Sequence, residues 1–111
     1  MRFEITINGK RYCVAGHNAY GVLSAVFSWV KRHPDRYDPK THKHWTPEEW
    51  AAEELTFDVG GLDSSDAEGS RQISWNPKDG PIVLTPGDEV LVRVLADGEF
   101  DEPTFQSPVH K

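Results

Sequence analysis

The chain has 111 residues, 37% apolar, 11% aromatic and 27% charged, with 18 acidic side chains against 12 basic ones and a formal charge of -6. That length suits one domain, and the aromatic and branched content excludes a disordered chain, which lacks the apolar surface to offset its conformational entropy. The longest apolar stretch, Val22 to Val30, is broken by Ser24 and Ser28 and falls short of the roughly 20 residues a membrane span needs. The alternating start has no continuous apolar region of the secretory kind, and the lone Cys13 excludes an internal disulfide or a thiolate zinc cage. The expected location is the cytoplasm, with no membrane.

The first element is a hairpin. Asn8-Gly9 suits the central positions of a type I′ turn. That turn sets Ile7 against Lys10, Ile5 against Tyr12 and Phe3 against Val14 on one face, with Glu4 against Cys13 and Thr6 against Arg11 on the other. A helix is expected next, capped by Asn18, with Val22, Leu23, Val26, Phe27 and Val30 as its apolar stripe. Lys31, Arg32 and His33 suit its C-terminal pole, and Pro34 ends it. Residues 34 to 45 read as a loop. A short second helix has a full start signal: Thr46 as N-cap, Pro47 at the first position, Glu49 closing a capping box and Trp45 stapled to Trp50.

Leu55, Phe57 and Val59 alternate as a strand stopped by Gly60-Gly61, and a polar loop runs from Asp63 to Ser70. Arg71 to Trp75 is a short strand with Ile73 and Trp75 on one face, closed by the turn residues Asn76 to Pro81, after which Ile82 to Leu84 read as buried or edge residues. After Pro86-Gly87-Asp88, Glu89 to Ala96 is the most apolar strand and is expected at the centre of the sheet. Residues 1–100 form the expected single domain, and 101–111 a flexible tail.

The expected class is α+β: a small, mostly antiparallel sheet of four or five strands, one main helix packed on one face, and a short second helix. This order, together with Leu84-Thr85-Pro86-Gly87-Asp88-Glu89-Val90 before the last strand, resembles the β-grasp fold of ubiquitin-like and sulfur-carrier proteins. Those carriers end in a Gly-Gly activated at its carboxylate, whereas this chain ends Pro108-Val109-His110-Lys111, so carrier activity does not transfer.

Three surfaces could carry function. His33, His42 and His44, with Asp35 and Asp38 between, form the densest set of metal-ligand types, suited to Zn²⁺ or Ni²⁺, although Lys40 and Lys43 oppose a cation. The same segment holds Lys31, Arg32, Arg36, Lys40 and Lys43, which could meet phosphates while Tyr37 and Trp45 stack on bases, but the overall acidity argues against nucleic acid. Residues 1–50 hold 8 basic and 5 acidic side chains, net +3; residues 51–111 hold 4 and 13, net -9. The acidic half offers Asp63, Asp66, Glu68, Asp97, Glu99, Asp101 and Glu102 as contacts for a basic partner.

No enzymatic motif stands out. Cys13 beside a carboxylate would be held as a thiol, Ser64, Ser65 and Ser70 lack a nucleophile elbow, and Gly60-Gly61-Leu62-Asp63 lacks the lysine and following helix of a phosphate loop. The expected function is that of a non-enzymatic acidic binding protein, without cofactor, most concretely an immunity protein or antitoxin covering a basic toxin surface. The alternatives are a metal- or ligand-binding module at His33, His42 and His44, or a β-grasp domain that self-associates through its sheet edges; the expected state overall is a monomer or weak homodimer.

Overall fold

A computed structural model describes residues 1–17 and 20–109. Asn8 and Gly9 take the positive φ values, 51° and 78°, that a type I′ turn requires. They join β1 (Arg2–Ile7) to β2 (Lys10–Gly16). The register near the turn is the expected one, Ile7 with Lys10 and Thr6 with Arg11, but a bulge between Ile5 and Thr6 shifts the rest. Tyr12 is the extra residue, so Ile5 faces Cys13, Glu4 faces Val14 and Phe3 faces Ala15. The shift moves the thiol from the polar face onto the core side, beside the fully buried Ile5.

The expected main helix is a strand, β3 (Gly21–Val30), paired with β4 (Glu54–Asp63) along its whole length. Its proposed cap, Asn18, lies outside the described residues. The apolar positions that fit a helical stripe also fit a strand, because Val22, Ser24, Val26, Ser28 and Val30 alternate with Leu23, Ala25, Phe27 and Trp29. Three valines and two aromatic residues favour the extended form, and the β4 partner decides it.

Gly60-Gly61 does not stop β4 either. A Cβ on Gly61 would lie 1.8 Å from the Val22 carbonyl oxygen, and one on Gly60 would lie 2.6 Å from that of Ile73. The pair therefore marks where flanking backbones press on a central strand.

The other edge of β4 is shared. β5 (Arg71–Ser74) pairs with residues 60 to 63 and β6 (Ile82–Val83) with residues 56 and 57. Between them the Val59 N–H donates to Asn76 Oδ1 at 2.9 Å, a side chain replacing the absent ladder bond. β7 (Val90–Leu95) returns to pair with β1, and the chain then crosses back to β8 (Phe105–Gln106), which pairs with β5.

The result is two antiparallel sheets, of order β2-β1-β7 and β3-β4-β5-β8 with β6 beside β4. One apolar cluster joins them: Ile5, Cys13 and Ala15 from the first sheet, with Phe57, Val59, Ile73, Trp75 and Leu84 from the second. A second sheet thus covers the hairpin where a helix was expected, which overturns both the α+β class and the β-grasp resemblance. Helical structure among the described residues is one 3₁₀ turn at Pro34–Arg36 and a one-turn helix, α1 (Pro47–Ala51), and neither buries a residue. α1 starts with the Thr46–Glu49 capping box that its sequence announces.

Two placements follow from the topology. β7 is an edge strand, not the centre of its sheet, which leaves Leu91 and Val94 exposed. The segment after residue 100 is tied to both sheets: Asp101 N–H donates to Val14 O, Ser107 N–H to Gln72 O, and the Ser107 hydroxyl oxygen accepts from Gln72 N–H.

Candidate functional site

The histidine segment lies in the long connection between β3 and β4 and folds around its own aromatic residues. The Arg32 guanidinium sits 4.6 Å from the Trp45 ring centre and 5.5 Å from that of Trp50. Trp45 and Trp50 meet edge to face at 5.8 Å, and His42 stacks obliquely on Trp50 at 4.4 Å. Tyr37 OH donates to Trp45 O, and Trp50 Nε1–H to His33 O. His33 Nδ1 accepts from the Asp35 N–H, capping the 3₁₀ turn, while His44 is exposed. Among the described residues no group of three His, Cys, Asp or Glu is placed to hold a metal ion. The aromatic residues considered for base stacking are engaged with Arg32 and one another, and Lys31 and Arg32 pair with Glu53 and Glu54.

The acidic residues divide by what they bind. Asp101 Oδ2 accepts the Val14 N–H at 2.8 Å, and both its oxygens face Arg11 at 3.2 Å. Its carbonyl accepts Trp75 Nε1–H, so this residue ties hairpin, core and C-terminal segment together. Asp97 pairs with the N-terminal ammonium. Asp63 accepts from the Ser65 hydroxyl and N–H, which hold its carboxyl below the usual range, with His17 and Arg71 adding to the effect. Asp66 accepts from the Glu68 N–H. Asp66, Glu68, Glu99 and Glu102 remain exposed. Asp63 and Ser65 share a cleft of about 300 Å³ with Phe100 and Pro103, so the two acidic segments border one cleft.

Cys13 is 5% exposed. Burial first, and the nearby Asp101 carboxylate second, push its thiol up to about 12, with Arg11 offsetting part of the rise. A thiol so placed is protonated at neutral pH and is no nucleophile.

The largest exposed apolar feature was not among the sequence candidates. β3 ends its sheet, so one long side of it has no strand partner among the described residues. The phase of its ladder tells which backbone groups are open. Ser64 N–H donates to Tyr20 O across the end of the pair, and the register continues from Gly21 with Asp63. Bonded and open positions alternate, so the even-numbered residues of β3 bond to β4 while Leu23, Ala25, Phe27 and Trp29 aim their N–H and C=O groups outward.

The side chains along this edge are also open. Val22, Val26 and Val30 stand on the outer face; on the inner face Phe27 and Trp29 overhang the core at 54% and 63% exposure. Phe27 leans on Phe57 at 4.7 Å between ring centres, and Trp29 Nε1–H donates to Glu53. Trp29 borders a cleft of about 630 Å³ whose apolar wall includes Leu55, Val83, Leu84 and Pro86. The signal for this edge in the sequence is ten residues without a charge or a proline, which a helical reading places on a buried face.

Among the described residues no helix is long and apolar enough to cross a membrane. Comparison with protein-family models, with curated proteins and with solved structures finds no match to this chain.

Proposed function

We propose that the chain is a non-catalytic protein-binding module whose docking surface is the open edge of β3 with its exposed apolar side chains. The observation that carries this reading is the ten-residue uncharged strand at the end of a sheet. Natural sheets blunt such edges with lysine, proline, a bulge or a covering segment, because unpaired N–H and C=O groups recruit another strand. β3 carries no lysine and no proline, and its register with β4 runs without a bulge. An incoming extended segment gains main-chain bonds to Leu23, Ala25, Phe27 and Trp29, and contacts Val26 on one face and Phe27 on the other.

The test is affinity capture with the wild type beside two edge variants, Ala25→Pro, which removes an outward N–H, and Val26→Lys, which charges the outer face. Loss of the same bound chain from both variants supports the reading. Undiminished retention by both overturns it.

The inhibitor form of the binding reading, an acidic surface covering a basic partner such as a toxin, is favoured by the meeting of the two acidic segments beside one cleft. Charge reversal of Asp66, Glu68, Glu99 and Glu102 is then expected to slow association and flatten its salt dependence. An unchanged salt dependence would count against it.

A further inference from the structure

We infer that the occupant of the β3 edge is a second copy of this chain, paired antiparallel about a two-fold axis at Val26; this rests on β3 being the docking surface. The register follows from the ladder phase. A symmetric antiparallel pair must bring outward-pointing residues opposite outward-pointing residues. Leu23, Ala25, Phe27 and Trp29 are disposed symmetrically about position 26, so a two-fold there is the register that uses all four from both copies. Leu23 then faces Trp29 and Ala25 faces Phe27, each pair exchanging two N–H···O=C bonds.

The side chains suit that register. On the outer face Val22 meets Val30, Ser24 meets Ser28, and Val26 meets Val26 of the other copy, at the close non-bonded positions where Cα atoms lie about 4.5 Å apart. The sequence Val-Ser-Val-Ser-Val reads the same in both directions, so branched side chains pack on branched ones and hydroxyls meet hydroxyls. On the inner face small Ala25 makes room for Phe27, and Trp29 covers Leu23. Each copy carries a formal charge of -6, yet the paired strands contain no charge to repel.

The shape of the single chain argues in the same direction. Its accessible surface is 7930 Å² and its mass 12.5 kDa, for which folded monomers expose about 6,200 Å². Its radius of gyration is 17.0 Å and its extents 48 × 39 × 19 Å, against about 13 Å for the radius of a typical domain of this length. The excess surface, roughly 1,700 Å², exceeds the roughly 800 Å² that each partner buries in a standard stable interface. Pairing at β3 joins the two larger sheets into one continuous sheet.

Sedimentation of the full chain across a concentration series is expected to show a mass doubling from 12.5 kDa, abolished in Val26→Lys, where two ammonium groups would meet on the axis. A cysteine pair fixes the register. Val26→Cys is expected to oxidise to a covalent dimer, since about 4.5 Å between Cα atoms is within disulfide range. Ser24→Cys is not, because the two copies of that position lie four residues out of register, about 13 Å apart. Cys13 is buried and unreactive, and mass spectrometry locates the cross-link. A wild type that stays monomeric at every concentration, or a dimer cross-linked through position 24 and not 26, overturns the inference. Hydrogen exchange separates the two levels. Fast outward β3 amides in a persistent monomer remove the second copy but leave the edge as a docking surface; slow ones in such a monomer remove both.

Discussion

Replacing Asp101 tests whether this residue is a partner contact or a structural tie. In Asp101→Ala the Val14 N–H, donated at 2.8 Å by a residue only 7% exposed, loses its acceptor. A buried donor left unpaired costs about 1–3 kcal/mol. The ion pair to Arg11 joins side chains 57% and 43% exposed and adds at most about 1 kcal/mol. A domain of this size loses at least about 4 °C of melting temperature per kcal/mol, so a fall of about 5–15 °C is expected. Asp101→Asn keeps an acceptor for Val14 and is expected to cost under about 1 kcal/mol; Arg11→Ala, which removes only the ion pair, is expected to cost about as little. Thermal melts by circular dichroism give the order directly. If Asp101→Ala melts with the wild type, or no lower than Arg11→Ala, the proposed tie between the hairpin and the C-terminal segment is wrong.

Three further outcomes are expected. Gly61→Ala places a methyl against the Val22 carbonyl and is expected to cost about 1–3 kcal/mol by forcing β3 from β4; chemical denaturation measures this, and a neutral result would mean that the strands are not so closely apposed. Cys13 stays protonated in the fold up to about 12, whereas an unfolded thiol ionises near ~8.5. Between those values the unfolded state binds fewer protons, so stability falls with rising pH by at most about 1.4 kcal/mol per unit. Its contribution is fully present below that window, and melts of wild type and Cys13→Ser from pH 7 to 11 should diverge in slope only within it. Arg32→Ala removes the cation over Trp45 and Trp50, worth about 0.5–1 kcal/mol per contact, together with the ion pair to Glu54 at the start of β4, and should speed amide exchange in residues 33–54 while leaving β1 and the rest of β4 unchanged.

What the sequence discloses here is what is settled locally. The Asn8-Gly9 turn needs positive φ at two adjacent residues, and the Thr46 cap needs one side chain three residues away, so both are legible and both form. Ile73 and Trp75, expected on one face of a short strand, are both buried. β3 was not legible, because apolar residues at positions 22, 23, 26, 27 and 30 satisfy a helical stripe and a strand's alternation alike. The choice rests on β4, more than twenty residues away, whose Gly60-Gly61 reads as a stop until its neighbours are known. The bulge at Tyr12 inverted the side of Cys13 for a similar reason: nothing between Asn8 and Cys13 announces it.

The candidate site shows the same division. Charge can be counted along the chain, but the partners of Asp97 and Asp101 are the N-terminus, brought close by the pairing of β1 with β7, and the Arg11–Val14 region, brought close by the crossing from β7 to β8. The histidines share a segment without sharing a centre, because Trp50 and the 3₁₀ turn each claim one ring. An open sheet edge is a property of strand order, which local periodicity does not encode.

Residue-resolved amide exchange along β3, at low and at high protein concentration, tests the central claim most directly. In dilute solution the amides of Leu23, Ala25, Phe27 and Trp29 are expected to exchange fast, while those of the alternate residues, bonded to β4, exchange slowly. At high concentration all are expected to become slow as the second copy seals the edge. Protection of every β3 amide at the lowest concentration would contradict the open edge itself, and alternation that persists unchanged at the highest would contradict the pairing.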